Sequence, residues 1–181
     1  SDVDEVLKRS EDSTRRLRER AERMLEELER LIRESKRTAD EVLKRSRESS
    51  KRLDEEVRAG VDRESLKRNH EENRELAEEL RRRLKESNDR LRELVRRVEE
   101  ELRENHRRNE ELVKELLRRR DEEEVRKELE RLRRENEKVV REAKKRLEDI
   151  IRKHEKIVKE IKEALDKLLE DNKRIVDRTS K

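Results

Sequence analysis

Three histidines, His70, His106 and His154, stand among serines, asparagines and charged residues. Histidine changes charge near neutral pH, ligates metals and serves as a general base. Hydroxyl and amide side chains accompany each one. Ser10, Ser13, Thr14, Asn105, His106, Asn109 and Asn136 form one set. Ser35, Thr38, Ser87, Asn88 and His154 form a second. Ser46, Ser49, Ser50, Asn69, His70, Asn73 and Asn172 form a third. Residues of these types can ligate a metal, perform acid–base or nucleophilic catalysis, or hydrogen-bond to one another inside a core.

Spacing argues against the first two. A di-iron helical bundle places Glu three residues before a ligating His, and here those positions hold Lys67, Arg103 and Ile151. The three His lie in separate layers, about 27 Å apart by roughly 18 residues of helical rise. The sequence has no Ser–His–acid set and no Gly-rich phosphate loop, so no catalytic, metal-binding or cofactor-binding residue is assigned. Zero Cys removes thiolate sites and disulfides.

The elements that must carry these residues are helices. The chain has 181 residues, 60% of them charged, with one Gly and no Pro or aromatic residue. Sheets and sandwiches need turn residues that this alphabet lacks. So much charge could also mean disorder, but an apolar stripe of helical period runs throughout. In the first third it holds Val3, Val6, Leu7, Leu17, Ala21, Met24, Leu25, Leu28, Leu31, Ile32, Ala39, Val42, Leu43, Leu53 and Val57. Two breaks interrupt the pattern. At Ala59-Gly60-Val61-Asp62, Gly60 suits a left-handed helix stop and Asp62 an N-cap. At Arg118–Glu124, three bases precede four acids, matching the dipoles of an ending and a starting helix, with Asp121 as the cap. Helices are therefore predicted near 3–59, 63–119 and 122–177, within a single domain spanning 1–181.

The stripe repeats every eighteen residues (Val3, Ala21, Ala39, Val57; Leu129, Leu147, Leu165). Eighteen residues make five turns at 3.6 per turn, which matches a relaxed helix and predicts straight, untwisted rods. Short connections make consecutive helices antiparallel. The fold class is all-α: an up-down-up bundle of three helices of about 57 residues, either closed or three quarters of a four-helix bundle.

Antiparallel neighbours meet where residue numbers sum to a constant. Ser13 with Asn109, Ser35 with Ser87, and Ser49 with Asn73 each sum to 122. Asn105 with Asn136, Ser87 with His154, and Asn69 with Asn172 each sum to 241. The polar residues thus fall into three cross-sections, each drawing on all three helices and each holding one His. Buried polar groups cost free energy unless hydrogen-bonded, so such layers penalise wrong registers and wrong partners. The bland alternative is polar side chains on helix flanks, in contact with water.

The eighteen-residue repeat, the Glu/Lys/Arg surface and the near-absence of Gly and Pro resemble de novo designed parametric helical bundles with buried hydrogen-bond networks. Repeated cassettes strengthen the resemblance: Asp4–Ser10 against Asp40–Ser46, and Asn69–Asn73 against Asn105–Asn109, both 36 residues apart. The resemblance implies a structural or partner-pairing role and no evolved activity. Many members are subunits of designed heterodimers.

Ser1-Asp2-Val3-Asp4 lacks the basic and apolar regions of a signal peptide, so no targeting signal is expected; no apolar run reaches membrane length, and no compartment is indicated. The net charge is +4. Arg81–Arg83 and Arg118–Arg120 are basic clusters, but no aromatic residue is present to stack on bases, so nucleic acid is not an expected partner. Neither is a membrane or a small molecule. The expected role is an interaction module: a complementary helix or chain (or a second copy) fills a groove between the first and third helices. The alternatives are a self-contained scaffold and a self-associating bundle, with pH-sensitive buried histidines in any of them.

Overall fold

The computed structural model describes residues 2–120 and 122–179. It contains three helices, α1 (Asp2–Arg58), α2 (Arg63–Arg119) and α3 (Glu123–Thr179), each of 57 residues. With no Pro to remove a backbone donor and no interior Gly, each helix runs uninterrupted.

The first turn is built from local hydrogen bonds. Gly60 adopts φ 76°. The Val61 N–H donates to Glu56 O at 3.1 Å, and the Gly60 N–H to Val57 O at 3.2 Å. This Schellman pattern satisfies carbonyls that the end of α1 would leave free. Asp62 then caps α2, its Oδ1 accepting from the Ser65 N–H at 3.2 Å. The Ser65 hydroxyl and N–H hold the Asp62 carboxyl below its ordinary pKa. At the second turn, Arg118 and Arg119 close α2, and Glu123 and Glu124 open α3. The expected Asp121 cap lies outside the described residues.

Packing divides the chain into two compact units. One comprises Ser1–Arg30 with Leu91–Ile151, the other Leu31–Arg90 with Arg152–Lys181. Each unit holds a segment of all three helices. In the first, Val3, Val6, Leu116, Val125 and Leu129 pack together, while Leu17, Leu25 and Leu28 are also fully buried. In the second, Ala39, Val42, Ala77, Leu80, Leu84, Ile161 and Leu165 form one cluster, and Leu53, Leu66 and Val176 another. Every stripe residue of α1 is buried or half-buried. Among the described residues the exposed large apolar side chain is Val61.

In the first unit, all three helix pairs touch. Arg20 of α1 pairs with Glu101 of α2 at 3.0 Å, and Glu110 of α2 with Arg133 of α3 at 2.9 Å. Arg146 of α3 reaches Glu22 and Glu29 of α1 at 2.6 and 3.1 Å. The first and third helices, between which a partner groove is expected, are thus in direct contact in this unit. A stripe about 120° wide serves a three-helix or a four-helix arrangement.

Candidate pairing site: polar side chains between the helices

The α1 stripe turns Ser10 and Thr14 inward, and both are buried. Asn105 of α2 and Asn136 of α3 are buried beside them in the same unit. Asn136 Nδ2 donates to Thr14 Oγ1 at 3.0 Å, and Asn105 Nδ2 donates to the half-buried Ser13 Oγ at 3.2 Å. The expected partner of Ser13 was Asn109, one turn away. Asn109 is half-buried and its Oδ1 has no partner, as is also true of Asn105 Oδ1. His106 corrects the sequence reading, because it is exposed rather than buried. Adjacent residues on a helix are rotated by about 100°, and burying Asn105 turns its neighbour towards solvent.

In the second unit, Ser35 and Ser87 share a hydrogen bond of 2.5 Å. Thr38 and Asn88 are half-buried. His154 is 1% exposed, and its Nε2 has no hydrogen-bond partner. Burial, opposed by the nearby Glu155 charge, holds its pKa below the ordinary histidine value.

The remaining set lies in the same unit. The Ser49 hydroxyl donates to Asn73 Oδ1, and Asn69 Nδ2 donates to Glu56 Oε2. Glu56 is a participant that sequence reasoning missed. Its number and that of Asn69 sum to 125, near the 122 of the α1–α2 register, which is the signal that could have found it. Asn172 was expected opposite Asn69. It is wholly buried, but neither Oδ1 nor Nδ2 has a partner. Ser46 is buried, while Ser50 and His70 are half-buried. Ser50 Oγ, His70 Nδ1 and Asn73 Nδ2 are each buried without a partner. Burial, reinforced by Arg74, lowers the His70 pKa.

The structure thus brings the polar residues together as pairs: Thr14–Asn136, Ser13–Asn105, Ser35–Ser87, Ser49–Asn73 and Asn69–Glu56. It does not join them into continuous three-helix layers. Such pairs carry no nucleophile–base geometry, and among the described residues no group of three or more His, Cys, Asp or Glu could hold a metal ion.

The fold is that of a three-helix bundle. The chain is similar to a computationally designed three-helix bundle, with 15% sequence identity and a TM-score of 0.51, over 97% of this chain and 86% of that one. No protein-family model and no curated protein matches the sequence. No helix is long and apolar enough to cross a membrane among the described residues.

Proposed function

We propose that the chain is a designed, self-contained three-helix scaffold without catalytic activity, in which the interhelical polar pairs select one register. The observation that carries this reading is the direct contact of α1 with α3, through Thr14–Asn136 and the two ion pairs of Arg146. This contact supports a bundle in which the first and third helices pack on each other directly. The unbroken passage of every helix from one packing unit to the other supports treating 1–181 as one domain. Polar pairs at defined heights leave buried groups unpaired in any shifted register, at about 1–3 kcal/mol each.

A second reading has one specific observation in its favour. In the first unit, α2 and α3 part to leave a groove of about 880 Å³ floored by Leu102, Val140, Leu147 and Ile151. An amphipathic partner helix would find an apolar floor there, between charged rims. Titration with a hydrophobic dye separates the two readings. A closed scaffold gives no fluorescence gain and one sharp unfolding transition. Saturable dye binding by the fully helical chain favours the partner helix.

A further inference from the structure

The second unit carries its own groove between α2 and α3, of about 590 Å³. Arg81 and Lys85 line it from α2, and Lys159 and Lys162 from α3. The ion pairs Glu110–Arg133 and Arg81–Asp166 bring these antiparallel helices level where residue numbers sum to 243 and 247. Lys85 with Lys159 sums to 244, and Arg81 with Lys162 to 243. Lys85 and Lys159 therefore stand at one level on the two helices, as do Arg81 and Lys162, and cations gathered at one level favour an anion among them. Asp166 neutralises Arg81 at 2.6 Å. Glu155 and Glu163 also border the groove, so four cations meet three acids, and 4 − 3 leaves one net positive charge with histidine neutral.

His154 lines the same groove. It is 1% exposed and its Nε2 is buried without a partner. A neutral imidazole has one N–H donor and one acceptor nitrogen. Phosphate offers both complements, because it carries acceptor oxygens as well as an O–H, and its charge suits the lysines. Carboxylate or sulfate offers acceptors alone at neutral pH. Asn88, also in the lining, adds an amide able to donate to a phosphate oxygen.

We propose that the α2–α3 groove of the second unit binds a small free phosphate-class anion, held by Lys85, Lys159 and Lys162 and hydrogen-bonded to His154. The groove lies in the size range of small-molecule sites, so phosphate carrying a small organic group also fits. No sequence pattern on a single helix reveals this site, because it arises from cations standing at one level on two helices.

The test is a titration of the full chain with inorganic phosphate near pH 7.5, at constant ionic strength balanced by chloride. The readout is the ring ¹H–¹⁵N resonances of the three histidines. Phosphate binding moves the His154 resonances saturably, without parallel movement of His70. Combining Lys85→Gln with Lys159→Gln, both at exposed positions, weakens the apparent affinity by about tenfold or more, since charge-assisted hydrogen bonds are lost. Circular dichroism verifies that this variant is folded. An unsaturated drift shared by all three rings, or equal affinity in the folded double variant, overturns the proposal. So does tight binding of a single-stranded oligonucleotide that phosphate does not displace, which would assign the lysines to a polymer backbone.

Discussion

Asn136 donates its amide N–H to Thr14 at 3.0 Å across 122 residues of sequence, which joins the first helix to the third. Both side chains are buried. The bond needs α1 and α3 in contact, with Thr14 and Asn136 at one height.

Thr14→Val removes the acceptor and leaves Asn136 Nδ2 buried without a partner. The expected cost is about 1–3 kcal/mol, read as a lower urea midpoint. Adding Asn136→Leu recovers most of it, because an apolar pair of similar shape needs no hydrogen bond. A double variant no better than Thr14→Val alone would show that the pair does not act as a unit.

Asn172 presents the opposite case, with full burial and no hydrogen bond. Asn172→Leu should raise stability by about 1–3 kcal/mol by removing an unsatisfied amide from the core. Chemical denaturation at neutral pH measures it. A destabilised variant would mean that the amide has partners in solution.

His154 and His70 both have lowered pKa values, chiefly because burial disfavours the charged ring. The unfolded chain then binds more protons than the folded one below about pH 6.5. Their contribution to stability is complete above that value and is lost as pH falls through the folded pKa values. Denaturation midpoints should drop between about pH 7.5 and 5.5, and by less in His154→Asn. Equal drops in the two proteins would exclude His154 as a source.

Gly60 is held at φ 76° with open space where a Cβ would stand. Gly60→Ala therefore costs backbone strain alone, about 1–2 kcal/mol. Thermal unfolding should show a modest fall with helical content unchanged. An unaltered midpoint would place the strain elsewhere in the turn.

Much of this was legible in the residues. Period, Gly60 and Asp62 set the helix ends at the first turn within a residue. The sum of 122 points to Ser35–Ser87 and Ser49–Asn73, and both pairs hydrogen-bond. Ser13 chose Asn105 over Asn109 because one helical turn keeps a residue on the same face, where short side chains decide the contact. His106 was misplaced because adjacent polar residues at the stripe edge differ in burial through a small rotation of the helix. Whether three helices close was not legible, since a stripe of that width fits either bundle. Contact between α1 and α3 depends on where Thr14 and Arg146 reach in space.

The most direct test of closure is molar mass by light scattering behind size exclusion, on the isolated chain at two concentrations tenfold apart. A closed scaffold gives 22.4 kDa at both. A mass that rises with concentration would mean that helical surface remains open to a further helix, which contradicts the account.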